Sequence, residues 1–210
     1  MLVRSFAAVL TLAALSGLAA VPSARAEGEA TGLVIGDAVP MSEHAMKNVD
    51  GKDVTIAAVQ GAKGTLVVFT CNHCPWAKAW ETRIVELGNT YQKKGVGVIA
   101  INPNDPSEHA EDSFEQMQAR AKERGFQFAY VVDATSDVAR AFGASRTPEF
   151  FLFDANGKLV YHGALDDNKD SKSVDKHYLS DALNALLAGQ PIPVAETKAV
   201  GCTIKFRAKA

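Results

Sequence analysis

The stretch Leu66-Val67-Val68-Phe69-Thr70-Cys71-Asn72-His73-Cys74-Pro75 decides the fold. Its first four residues form a continuous apolar run, the pattern of a strand buried on both faces. Pro75 suits the first position of a helix, where its missing N–H leaves nothing unpaired. Beyond it, Ala77, Trp80, Ile84, Leu87 and Tyr91 recur at steps of three and four, one apolar stripe of a helix. Lys93, Lys94 and Gly95 then close that helix. A strand therefore hands over to a helix across a C-x-x-C.

The same alternation continues outward. Val96 to Ile101 predicts a second buried strand. Phe114, Met117 and Ala121 mark a helix ending near Gly125, and Phe128 to Val132 a third strand. Asp137 to Phe142 is a short helix stopped by Gly143. Glu149–Phe153 and Leu159–His162 flank Asn156-Gly157, a hairpin turn signal. Leu179, Ala182, Leu183, Leu186 and Leu187 make a last helix, stopped by Gly189 and Pro191. Residues 27 to 62 are weakly patterned, with Val54-Thr55-Ile56 a plausible short strand. This order predicts an α/β fold, a mixed sheet with parallel crossovers, an antiparallel edge and helices on both faces.

The C-x-x-C carries the chemistry. A helix start offers unpaired N–H groups and the positive end of the dipole, and both favour a thiolate. Cys71 is therefore expected to have a depressed pKa and to attack, while Cys74 resolves the mixed disulfide by closing a Cys71–Cys74 redox-active disulfide. A protonated His73 would stabilise the thiolate further and make the couple more oxidising. Other readings compete: two inert buried thiols, or half of a zinc site, for which no second ligand pair is evident. Haem attachment requires His directly after the second cysteine, where Pro75 stands. His44, His109, His162 and His177 form no spaced cluster, so no metal site and no cofactor are expected.

The 210 residues carry 22 basic and 24 acidic side chains, a net charge of −2, and their mean hydropathy is −0.03. That balance argues against a nucleic-acid partner, and the composition against a disordered or polytopic membrane chain. Three cysteines are too few for a disulfide-stapled scaffold. Residues 1–26 read as a signal peptide: Arg4, an apolar run from Phe6 to Val21, a break at Pro22, then Ala24-Arg25-Ala26 with cleavage after Ala26. The run is shorter than the about 20 residues needed to span a bilayer, so no stable membrane insertion is expected after cleavage. The expected division is residues 27–189 as the folded domain and 190–210 as a C-terminal tail. The expected location is periplasmic or secreted, an oxidising setting in which a disulfide persists.

Thr147-Pro148 stands just before the Glu149–Phe153 strand, the place in a sheet where proline is tolerated. The C-x-x-C at a strand–helix junction, the later Thr-Pro before a hairpin, and the closing helix together resemble the thioredoxin superfamily. An extra strand–helix step between Val96 and Val132 resembles its redoxin branch, which includes the AhpC/TSA antioxidant proteins. The CNHCP site, Ile101-Asn102-Pro103-Asn104-Asp105, the Thr-Pro-acidic-Phe-Phe-Leu-Phe-Asp strand and the tail Gly201-Cys202-Thr203-Ile204-Lys205 carry the likeness. The resemblance implies a thioredoxin-like fold, a cis Pro148 packed against the C-x-x-C, and a Thr147 backbone open to a substrate strand. It implies thiol–disulfide exchange with protein substrates and with an electron donor or acceptor protein.

Departures from that pattern matter too. Arg146 stands where relatives carry a Cys, and is expected either to lower the Cys71 pKa as a nearby cation or to be a solvated surface residue. Leu66–Phe69 contains no buried acid, which leaves Glu149 as a candidate for proton transfer or, more plainly, an exposed strand residue. Trp76 is a candidate cover for the thiols. Cys202 is either a resolving thiol for Cys71 or a passive tail residue. Two other functions stay open. A peroxidatic cysteine expects upstream Pro and Thr, but Val67 precedes Cys74 by seven and Gly64 and Val68 precede Cys71. Copper binding suits soft thiols near a His, but copper-delivery relatives space their cysteines by three residues.

Overall fold

The computed structural model describes residues 32–209; the leader expected over residues 1–26, with its cleavage after Ala26, lies outside them. Two short strands, β1 (Met46–Asn48) and β2 (Asp53–Val54), precede β3 (Gly64–Phe69), which is buried along its whole length. Helix α1 (Pro75–Gln92) follows, then β4 (Val96–Asn102), α2 (Phe114–Arg124), β5 (Ala129–Val132) and α3 (Asp137–Phe142). The chain continues through β6 (Arg146–Thr147), β7 (Glu149–Phe153), β8 (Leu159–Gly163), α4 (Tyr178–Ala188) and β9 (Cys202–Thr203).

Seven strands form one mixed sheet in the order β2-β1-β5-β4-β3-β7-β8. β3, β4 and β5 run parallel, while β7 and β8 run antiparallel on one side and β1 and β2 on the other. Side chains alternate across a strand, so the apolar run of β3 serves two cores. Leu66 and Val68 pack with Trp80 and Ile84 of α1, Met117 of α2 and Leu183 of α4. Val67 and Phe69 pack with Val138 and Phe142 of α3 and with Phe151 and Phe153 of β7. Helices thus cover both faces, which is the thioredoxin-like α/β arrangement with the additional α2–β5 step.

Local rules set the joints. Pro75 opens α1, and Ser113 caps α2 by accepting from Gln116 N at 3.4 Å. Gly125 ends α2 at φ 71°, a left-handed cap. Gly88 lies mid-helix because Phe128 crosses there: a Cβ at residue 88 would stand 2.3 Å from the ring.

Sequence patterning missed two features. β1 pairs with both β2 and β5, and the expected Val54-Thr55-Ile56 strand stops at Val54 because Ile56 turns into the core. The tail beyond Gln190 runs along the sheet edge, with His162 N bonded to Ala195 O and Thr197 N to His162 O, both at 3.0 Å. It then crosses to pair β9 with β6.

Candidate active site

The C-x-x-C lies in the short loop between β3 and α1. Thr70 N still donates to Ile101 O at 2.9 Å, continuing the ladder with β4, and the chain then turns away. Asp112, which lies just before α2, directs that turn. Its Oδ1 accepts from Asn72 N at 2.7 Å and His73 N at 3.2 Å. Its Oδ2 meets His73 Nδ1 at 2.5 Å and accepts from Asn104 Nδ2 at 2.9 Å. A fully buried carboxylate needs such a shell of donors. Asn72 is held on its other side, donating to Glu111 O at 2.8 Å and accepting from Tyr130 Oη at 3.0 Å. Burial pushes the Tyr130 phenol well above its ordinary range, so it serves as a donor.

Both sulfurs converge on one residue. Cys71 Sγ lies 3.1 Å from Thr147 Oγ1, and Cys74 Sγ lies 3.1 Å from Thr147 O. The Thr147–Pro148 bond is cis, so the implied proline geometry is present. Both cysteines are buried, Cys71 at 5% exposure and Cys74 at 0%.

The two thiols titrate as one pair rather than as a depressed Cys71 alone. The Cys71 thiol is raised, first by its hydrogen bond to Cys74, then by burial and by the Asp112 charge. Cys74 is lowered to about 4, first by accepting from Cys71, with the Cys202 thiol and the Ala77 N–H helping against burial. Cys74 is the N-cap of α1, and the Ala77 N–H of its first turn adds to the lowering of Cys74, while the Cys74 N–H serves Cys71. The pair shares one proton and resists losing the second, because two adjacent sulfurs cannot both carry charge cheaply.

The other candidates divide. Trp76 packs against the two thiols and Ala77, and stacks edge-on with Trp80 at 5.4 Å. Beside it opens a cavity of about 230 Å³ lined by Trp76, Trp80, Tyr178, Thr197, Lys198 and Val200. His73 turns its ring to Asp112 and stacks on His109 with centroids 3.8 Å apart. Arg146 is exposed, and its guanidinium reaches Gly201 O and Thr203 Oγ1 of the tail. Glu149 is not an exposed strand residue: it is buried, and accepts from Ser145 N at 2.8 Å, Arg146 N at 2.9 Å and faces His162 Nε2 at 2.7 Å. Those bonds brace the loop that carries Thr147 and Pro148.

Asp112 bears on the site beyond the sequence expectation, and Cys202, left there between a resolving and a passive role, lies at the site. Asp112 supplies the buried acid that β3 lacks, and nothing in its neighbourhood in sequence ties it to residue 72 or 73. Cys202 reaches the centre from the tail and packs against Cys71, Cys74 and Ala77. Thr147 pairs with Cys202 across β6–β9, so the strand edge expected for a substrate holds the tail. One donor atom each from Cys71, His73 and Asp112 lies within 4.8 Å of the others, the group among the described residues able to approach a metal ion.

This geometry can be set beside known proteins. The sequence model of the AhpC/TSA family matches residues 35–162. The chain belongs to the AhpC/TSA family. A relative within reach is the thiol-disulfide oxidoreductase ResA of Geobacillus thermodenitrificans (strain NG80-2), 28% identical over 131 residues, 62% of this chain and 70% of that protein. The crystal structure of an uncharacterized conserved protein from Geobacillus kaustophilus is 39% identical with a TM-score of 0.79, covering 84% of this chain and 94% of that one. A thioredoxin-like protein solved in its oxidized form has a TM-score of 0.58 at 22% identity, over 74% of this chain and 97% of that one, and shares the fold. The AhpC/TSA match ends at His162, so α4, the tail and Cys202 lie beyond it.

Proposed function

We propose that this thiol–disulfide oxidoreductase attacks protein disulfides through Cys71 and resolves through Cys74. The supporting observation is the convergence of both sulfurs on Thr147, beside the cis Pro148, with Cys71 the more accessible. As Cys71 attacks one sulfur of a substrate disulfide, its proton passes to Cys74, and the other substrate sulfur leaves with the bond's electron pair. That departing thiolate takes the proton from Cys74. Cys74 then attacks Cys71, frees the second substrate thiol and leaves a Cys71–Cys74 disulfide. A dithiol protein returns the pair to its reduced form; run backwards, the same steps oxidise a substrate. A thiolate stabilised in the reduced form favours the oxidising direction. Export through the leader over residues 1–26 would put the pair in an oxidising compartment, and no helix among the described residues is long and apolar enough to cross a membrane.

The test is trapping. Cys74→Ser is expected to accumulate a mixed disulfide through Cys71, visible on a non-reducing gel and absent when Cys71 is also replaced. If no adduct forms under oxidising conditions, the proposal is wrong.

Copper binding is a second reading, favoured by the clustering of Cys71, His73 and Asp112. Against it, the His73 Nδ1 and the Asp112 carboxylate already satisfy one another. Stoichiometric Cu(I) binding that survives a competing chelator, without disulfide exchange, separates the two.

A further inference from the structure

Three sulfurs meet at this site. Cys71, Cys74 and Ala77 form one buried cluster, and Cys202 of the tail packs against it. Cys202 is also the register partner of Thr147, whose carbonyl oxygen lies 3.1 Å from Cys74 Sγ. Displacement at a disulfide sulfur needs the entering sulfur beside the attacked one, and the pairing of Cys202 with Thr147 brings it to the residue that Cys74 Sγ touches. We propose that Cys202 is a third redox thiol, which attacks Cys74 in the Cys71–Cys74 disulfide and moves the bond to Cys74–Cys202. This rests on the exchange chemistry proposed above.

The step balances without an outside oxidant. The Cys71–Cys74 bond breaks and the Cys74–Cys202 bond forms. Cys71 leaves with the electron pair and takes up the proton that Cys202 gives up. Total oxidation state is unchanged; the disulfide only changes partners.

The tail is built to hold Cys202 there. β9 pairs with β6 in the register Thr147 to Cys202. Ile204 N donates to Ser145 O at 3.0 Å, Lys205 N to Asn104 Oδ1 at 2.9 Å, and Asp105 N to Lys205 O at 2.7 Å. Residue 201 must be glycine for this approach, since a Cβ there would stand 2.2 Å from Thr147 O. A strand pinned on both sides of its cysteine presents that thiol at high effective concentration. Burial, and then the neighbouring Cys74, raise the Cys202 thiol to about 11, so Cys202 waits protonated and gives up its proton as it attacks.

The two disulfides have different consequences. With Cys71–Cys74 joined, β9 is held by hydrogen bonds and the burial of Ile204, with no covalent tie, and can yield the Thr147 edge to a substrate strand. With Cys74–Cys202 joined, the tail is covalently tied across that edge and Cys71 is a free, partly accessible thiol. The second isomer is a closed oxidised form that reopens by exchange or reduction.

Peptide mapping tests this. Purified reduced protein is treated with oxidised glutathione, quenched in acid, alkylated with N-ethylmaleimide and digested with trypsin without reduction. Trypsin places Cys71 and Cys74 together on residues 64–78 and Cys202 on residues 199–205. An internal disulfide in the first peptide reports the exchange pair, and its absence in the wild type counts against the proposed function alone. The isomer is expected as the two peptides linked, carrying one maleimide on Cys71, and the link is lost in Cys202→Ser. Cys71→Ser, with Cys71→Ala as a second variant, should form the Cys74–Cys202 link within one chain. Persistent glutathione adducts, or links only between two chains, in both variants and no linked peptides in the wild type would overturn the third-thiol assignment.

Discussion

The Asp112 carboxylate faces the His73 ring, Oδ2 to Nδ1 at 2.5 Å, while its other oxygen collects the Asn72 and His73 peptide N–H groups. One buried acid therefore shapes the loop that carries both cysteines and adds negative charge beside Cys71. Its 0% side-chain exposure means water cannot replace it. Asp112→Ala should strand several buried donors and cost about 2–5 kcal/mol, read by urea denaturation. Asp112→Asn retains the shape without the charge, so the Cys71 thiol should ionise at lower pH than in the wild type, followed as thiolate absorbance at 240 nm. A variant with wild-type stability and titration would remove Asp112 from this role.

The reduced pair has its own pH signature. Cys74 falls to about 4 from an ordinary thiol value of 9.0. Between those two values the unfolded chain binds more protons than the folded one, so the reduced protein gains stability as pH rises through the window and loses it as pH falls through about 4. Cys71 is shifted upward, so its contribution is present below the ordinary value and declines only above it. The Tm difference between reduced and oxidised protein should therefore shift toward the reduced form from pH 4 to 8, and Cys74→Ser should flatten the trend. A flat wild-type difference would mean that Cys74 is not the site of charge.

Gly201 is the hinge point of the tail's approach. Gly201→Val puts a branched side chain where Thr147 O already stands, 2.2 Å from an added Cβ. Overpacking of this kind costs about 1–3 kcal/mol, and here it is relieved by lifting β9 from β6. Faster maleimide labelling of Cys202 and Cys74, with the β-sheet spectrum retained, is the expected result. Unchanged labelling would mean that the strand tolerates the side chain in place.

Phe151 tests the core away from the thiols. Its ring meets Phe69 at 5.7 Å and Phe142 at 5.2 Å, on the α3 face of the sheet. Phe151→Ala should cost about 3–5 kcal/mol by leaving a cavity in a closely packed interior. The exchange rate at Cys71, measured at a temperature where the variant remains folded, should stay near wild type.

Short-range pattern was enough for the elements that depend on it. The apolar run at Leu66–Phe69, the stripe from Ala77 to Tyr91, the Asn156-Gly157 turn and Pro75 at a helix start are all local consequences of burial and backbone geometry, and each element formed where its period indicated. Cys71 and Cys74 were legible for the same reason, since three residues and a helix start bring them together. The rest rests on contacts between distant segments. Asp112 meets His73 across 39 positions, and no period in the chain links them. How the two thiols share charge depends on burial, on Asp112 and on Cys202, none of which the spacing of the C-x-x-C reveals. Glu149 became a buried brace because β7 lies inside the sheet. Cys202 reached the centre because β9 found an open edge at Thr147, and free edges are filled by whichever strand the folded chain delivers to them.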